Sequence, residues 1–145
     1  GNFMSIKQVS VFIPNKQGAL HTITNVLAQA NIDLRTTYVA DTSDYGIVRI
    51  IASEPERAVE VLNNAGHTAS IREVTAFAVP DVPGGLAKAL DVLENNGVNI
   101  EYLYALVGNE NAQGKAYTVL RADDGEKAEK VLSDNGFELL SEDKI

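Results

Sequence analysis

The strongest constraint on how this chain can fold is that it carries nearly one message twice. Residues 9 to 73 set out an order of segments that residues 75 to 143 repeat. In the first half of each copy the offset is 66, so Pro14, Gly18, Leu20, Val26, Leu27 and Tyr38 recur as Pro80, Gly84, Leu86, Val92, Leu93 and Tyr104. In the second half it is 70, with Ala52, Glu56, Ala58, Val61, Leu62 and Gly66 recurring as Ala122, Glu126, Ala128, Val131, Leu132 and Gly136. Four residues are therefore added between Tyr104 and Ala116, where Gly108 to Gly114 reads as a loop. A repeat of about 70 residues is too long for a solenoid and suits a small domain. The chain reads as a tandem duplication, with one domain over 5–73 and a second over 74–145.

Hydrophobic spacing gives each copy the same plan. Val9, Val11 and Ile13 alternate as a strand does, and Pro14 closes it before the turn cluster Asn15 to Gly18. From Ala19 the period changes to that of a helix, with Leu20, Ile23, Val26, Leu27 and Ala30 as its buried stripe. Ile32 to Thr42 is extended, Ser43 to Gly46 turns, and Ile47 to Ala52 returns as the second arm of a hairpin. Ser53 with Glu56 reads as a capping box for a helix that stops at Gly66. His67 to Val74 is extended again. The second copy runs Thr75–Val79, a loop over Pro80 to Gly84, and a helix over Gly85–Asn96 that buries Leu86, Ala89, Leu90 and Leu93. A hairpin near Val98–Val107 and Lys115–Ala122 follows, then a helix capped by Asp123, and a strand over Phe137–Ser141. Each copy is β-α-β-β-α-β. The fold class is α+β: two ferredoxin-like units, each an antiparallel four-stranded sheet with helices on one face, paired side by side. No Gly or Pro breaks Thr68 to Val79, so no linker separates the units. A unit near this size is marginal alone, so the units should pack on each other, on a second copy, or both.

Composition narrows the chemistry. The net charge of −8 and scattered basic residues argue against a nucleic-acid binder. No segment has the run of about 18 to 20 apolar residues that a membrane helix needs, and no leader opens the chain, so a cytoplasmic protein is expected. Gly1 where an initiator Met would stand reads as a tag remnant or the result of processing, and Gly1 to Met4 are set aside. Cysteine is absent, which removes disulfides and thiolate chemistry. His21 and His67 belong to no cluster at metal spacing and read as structural or surface residues, His21 being the nearer to a ligand. Asp123-Asp124 and Glu142-Asp143 read as caps and solvated charge. The tyrosines 38, 102, 104 and 117 fall on hairpin strands, where cross-strand packing explains them. No catalytic residues, cofactor or metal are called for.

The repeated strand-loop-helix junction is different. Pro80-Asp81-Val82-Pro83-Gly84-Gly85-Leu86 leaves a strand and opens a helix directly. Its glycines let a ligand approach the backbone, the helix-start amides attract a carboxylate, and Asp81 could accept from an ammonium. That combination suits a free amino acid; a tight turn with a helix cap is the other reading of the same residues.

Taken with the small-x-Asn-Ile step that follows the helix, as in Gly97-Val98-Asn99-Ile100, this segment resembles the ACT domain. The first copy keeps Asn15-Lys16-Gln17-Gly18-Ala19-Leu20 and Asn31-Ile32-Asp33-Leu34, with Gln17 where proline is usual and Asp33 where its twin has Asn99. The resemblance implies regulatory modules that bind amino acids or related metabolites where paired domains meet. It nominates Asn15, Gly18, Ala19 and Leu20 in one unit, and Asp81, Gly84, Gly85, Leu86 and Asn99 in the other. Asp33 departs from the pattern, which implies two unequal sites. The expected function is a non-catalytic amino-acid sensor, acting as a homodimer and regulating a metabolic enzyme in trans, with Leu, Ile, Val, Phe, Ser, Thr, Lys and His all open as ligands. A ligand-free dimerisation or docking subunit, favoured by Gln17 and Asp33, and a small enzyme on the same scaffold are the competing readings.

Overall fold

Alternating apolar residues make β1 (Ile6–Pro14) a strand with a buried face, and Val9, Val11 and Ile13 are all within 8% exposure. The computed structural model describes residues 4–41, 44–106 and 113–145. The chain divides into two units, the first being Lys7–Arg72 and the second Glu73–Ile145 together with the residues up to Ile6. Met4, set aside on sequence grounds, belongs to the fold: its amide donates to both carboxylate oxygens of the buried Glu129, at 2.9 and 2.8 Å. Gly1 to Phe3, part of the expected Ser43–Gly46 turn, and most of the expected Gly108–Gly114 loop lie outside the described residues.

In the first unit β1 is followed by α1 (Ala19–Gln29), β2 (Leu34–Asp41), β3 (Tyr45–Ala52), α2 (Pro55–Asn64) and β4 (Thr68–Pro80). β3 lies between β1 and β2, antiparallel to both. The second unit runs from β4 through α3 (Gly85–Asn95), β5 (Ile100–Ala105), β6 (Lys115–Ala122) and α4 (Gly125–Asp134) to the two-residue β7 (Leu139–Leu140). Here β4 pairs with β6 on one side and β7 on the other, and β6 pairs with β5, all antiparallel. Each unit is thus the ferredoxin-like α+β arrangement read from the sequence. The duplication reaches fine detail, since both hairpins shift register at matching places, Leu34/Thr36 and Ile100/Tyr102.

Each unit has its own core. Val9, Val11, Ile23, Leu27, Val48, Ile50, Ala58 and Leu62 fill the first, and Phe77, Ala89, Leu93, Leu120, Ala128 and Leu132 fill the second. All of these have 0% exposure. The four α-helices among the described residues each end in the same Schellman turn, where the amide two residues past the cap reaches back. Ile32 donates to Leu27, His67 to Leu62, Val98 to Leu93 and Phe137 to Leu132, each at 3.0 Å.

Several sequence expectations shift. The two strands expected at His67–Val74 and Thr75–Val79 are one, β4, because no Gly or Pro interrupts it; the boundary between units falls inside it, at Arg72/Glu73. Leu20, expected in the buried stripe of α1, is 40% exposed; Ala19, Ile23 and Leu27 supply that stripe instead. Both second-helix caps move one residue on. Glu54 occupies the N-cap of α2 without a side-chain bond, and Asp124, not Asp123, caps α4 by accepting from the Lys127 amide at 3.0 Å. The residues expected as caps are engaged elsewhere. Ser53 Oγ accepts from the Asp33 amide at 3.0 Å, and Asp123 Oδ1 accepts from the Asn99 amide at 3.1 Å. In each unit the latch is completed by the reverse backbone bond, Ser53 to Asp33 at 2.9 Å and Asp123 to Asn99 at 3.0 Å.

Because Leu27 and Leu93 are twins at 0% exposure, truncating either to Ala should cost about 2–5 kcal/mol, measured by urea unfolding of each variant. A loss below about 1 kcal/mol at either position would contradict separate, fully packed cores.

Candidate functional site

Both strand-to-helix junctions are built on one device. Pro14 and Pro80 end their strands, and each carbonyl accepts the amide two residues on, Lys16 and Val82, at 2.9 Å. The chain then turns through Gly18 and Gly84, both left-handed at φ 84°, and each is the N-cap of its helix. An L side chain in this conformation costs roughly 1–2 kcal/mol. The Gly18 and Gly84 carbonyls accept the first helical bonds, from the Thr22 and Lys88 amides, at 3.0 Å. A glycine cap has no side chain to offer back, so no side-chain bond caps either helix. The amides of Leu20 and His21, and of Leu86 and Ala87, are left as the positive ends of their helix dipoles.

The junctions differ one residue later. A Cβ on Gly85 would sit 2.1 Å from the Pro80 carbonyl oxygen, whereas one on Gly84 would meet nothing within 4 Å. The second loop therefore closes on itself more tightly than the first, where Ala19 stands at the matching position. Beside it lies a cleft of about 460 Å³ contained in the second unit. One wall is the loop, through Pro80, Val82, Pro83, Gly84 and Gly85; the other is the turn from α4 to β7, through Asn135, Gly136, Phe137 and Glu138. Lys88, Lys115 and the β4 residues Ala78 and Val79 complete it.

Of the residues singled out by sequence, Gly84 and Gly85 line this cleft. Asp81 is in the same loop and exposed, its amide donating to the Gly114 carbonyl at 2.9 Å, but it does not line the cleft. Leu86 packs against the core of the second unit, and Asn99 is exposed on the approach to β5, its backbone held by Asp123. In the first unit Asn15, Gly18 and Leu20 are exposed while Ala19 is buried. Asp33, the twin of Asn99, makes an ion pair with Arg35. His21 is exposed on α1 and His67 half-buried before β4. Among the described residues no group of three His, Asp or Glu side chains could hold a metal ion, and no helix is long and apolar enough to cross a membrane.

Sequence reasoning missed the far wall of the cleft, because only the pairing of β7 with β4 brings Glu138 beside Pro80. Lys115 and Glu138 make an ion pair of 2.9 Å there. Their hydrogen bond, reinforced by charge attraction, raises the Lys115 ammonium above the ordinary lysine value and holds the Glu138 carboxyl below the ordinary carboxylate range. The sign is the same at both ends of the pH scale. The contribution of Glu138 is present above its ordinary pKa and is lost as pH falls through the lowered value. That of Lys115 is present below its ordinary pKa and is lost as pH rises through the raised value. Near neutrality the pair is intact.

Comparison with known proteins gives a consistent picture. A family model described as an ACT domain pair matches residues 4–145. A crystal structure of a protein from Bacteroides thetaiotaomicron superposes with a TM-score of 0.89 at 36% identity, covering 97% of this chain and 95% of that one. The ligand-free regulatory subunit of aspartate kinase from Thermus thermophilus gives 0.65 at 16% identity, covering 93% and 96%. Aspartate kinase from Clostridium acetobutylicum gives 0.53 at 15%, over 90% of this chain and 33% of that one. No curated protein sequence matches.

Two outcomes follow from the site. Replacing Gly85 by Ala should cost on the order of 2–3 kcal/mol in urea unfolding, since backbone must move, and more than Gly84→Ala, whose cost is the backbone strain alone; a Gly85→Ala protein as stable as wild type would contradict the packing. Replacing Lys115 by Met should let the Glu138 carboxyl rise to the ordinary carboxylate range in an NMR titration, and an unchanged Glu138 would show that the pair does not govern it.

Proposed function

The chain belongs to the ACT domain pair family, and on that premise we propose that it is a non-catalytic sensor of a free amino acid, binding through the β4–α3 loop of the second unit. The observation that carries this reading is the cleft beside that loop, lined by the left-handed Gly84 and by Gly85. A bare glycine cap lets a ligand carboxylate reach the helix-start amides with no side chain in the way. Asp81, in the same loop but outside the cleft lining, and Asn99, at the start of β5, are assigned as further contacts to the ligand. Leu86 holds the loop on its core. The corresponding residues of the first unit, Asn15, Gly18, Ala19 and Leu20, form a weaker site. There Asp33 is already paired with Arg35, which takes it away from a ligand.

The protein acts in the cytoplasm as a homodimer and conveys its ligand state to a metabolic enzyme in trans. Support for a partner comes from the regulatory subunit of aspartate kinase, a chain that this one covers to 96%. Ligand that prefers one state of the sensor shifts its population, and a partner that prefers the same state reads the shift. The Asp33–Arg35 pair also favours a second reading, a docking subunit that has given up ligand.

A thermal-denaturation screen against the twenty amino acids at millimolar concentration separates the two. Ligand at 100 times its Kd adds about 2.7 kcal/mol, or roughly 5–10 °C at this length. A selective shift that disappears in Gly84→Val, which puts a side chain on a residue lining the cleft, supports the sensor. No shift with any amino acid favours the docking subunit.

A further inference from the structure

The duplication supplies an internal control for the cleft, because each lining residue of the second unit has a twin in the first. Lys88 corresponds to Thr22 at the offset of 66, and Lys115 and Glu138 correspond to Tyr45 and Thr68 at the offset of 70. All three charges of the cleft are thus neutral in the other copy. Two of those twins are engaged locally: the Thr22 hydroxyl donates to the Gly18 carbonyl at 2.9 Å, and the Tyr45 ring packs on Phe12 at 5.9 Å. The first-unit junction has kept the glycine turn without these three charges, and carries instead Lys16 at the position of Val82. The charges of the second unit are therefore not demanded by the turn itself.

Resting on the sensor reading above, we infer that the cleft of the second unit is specific for an acidic α-amino acid, bound by Lys88, Lys115 and Glu138. Two lysines and one glutamate give the lining a net charge of +1 within a chain of net charge −8. Among the described residues Lys88 has no carboxylate partner, while Lys115 and Glu138 hold each other at 2.9 Å. A ligand ammonium on Glu138 replaces Lys115 there and releases its ammonium group. One ligand carboxylate then pairs with Lys88 and a second with Lys115. An acidic amino acid, with two carboxylates and one ammonium, satisfies all three side chains and neutralises the lining. A neutral amino acid has one carboxylate and leaves one of the two lysines without a ligand contact. The volume of about 460 Å³ is ample for a ligand of that size.

The test is isothermal titration calorimetry of the full 145-residue chain with L-aspartate, L-glutamate, L-asparagine, L-glutamine and L-leucine. The expected result is binding of aspartate or glutamate, with the matching amide weaker by about tenfold or more, as befits one lost charge-assisted contact. Lys88→Gln and Lys115→Gln should each weaken the acidic ligand by a similar factor. Both lysines are at the surface, so the ligand-free melting temperature reports whether the variants fold, and it should stay near that of wild type. A neutral amino acid binding more tightly than the acidic ones overturns this inference and leaves the sensor standing. So does an acidic ligand whose affinity ignores both lysine substitutions. Absence of binding by any of the five, together with no shift in the twenty-amino-acid thermal screen, overturns the inference and the sensor reading alike.

Discussion

Everything at the candidate site depends on one backbone constraint: a chain that leaves a strand must reverse into a helix within a few residues. Proline stops the strand, a left-handed glycine turns the chain, and the same glycine becomes the helix N-cap. Gly18 and Gly84 do this with the same φ of 84°. Serine or aspartate at that position would give the helix a side-chain cap, but would carry a Cβ into a conformation that penalises it. Glycine avoids the strain and leaves the first amides of the helix open. A structural requirement of the turn thereby creates a place where an anion can bind.

The two copies show what duplication preserves and what it releases. The cores, the four Schellman turns, the register shifts of the hairpins and the latches Asp33–Ser53 and Asn99–Asp123 are kept. These lie in backbone geometry and apolar packing, with one side-chain acceptor, Ser53 or Asp123, in each latch. The charges around the junction are not kept. Thr22 became the counterpart of Lys88, Tyr45 of Lys115 and Thr68 of Glu138. Exposed charges contribute little to stability, so these positions are free to follow function. The pattern of divergence is thus informative: the fold is held in common, and the site is where the copies part.

Much of this was legible in the sequence, for physical reasons. Periodicity located both β-α-β-β-α-β units, because a strand and a helix bury different spacings. The glycine turns were visible because only glycine suits them. The errors came where local signals compete. Ser53 and Asp123 look like caps and sit one residue early, because each holds the backbone of the residue before β2 or β5. Leu20 fits a helical stripe, yet the buried face of α1 is made by Ala19, Ile23 and Leu27, and Leu20 falls off that face. The far wall of the cleft was out of reach, since Glu138 meets the loop only through the pairing of β7 with β4. Comparing the charges of the twin positions would have pointed to it.

The most direct test of the account is an amide NMR titration of the labelled protein with L-aspartate and L-glutamate, and with L-leucine, L-threonine and L-lysine for comparison. The account predicts that whichever amino acid binds moves the resonances of Val82, Gly84, Gly85, Leu86 and Ala87 together with those of Gly136, Phe137 and Glu138. Movement confined to Asn15–Leu20, with the β4–α3 loop unchanged, would contradict it, as would a spectrum that none of the five alters.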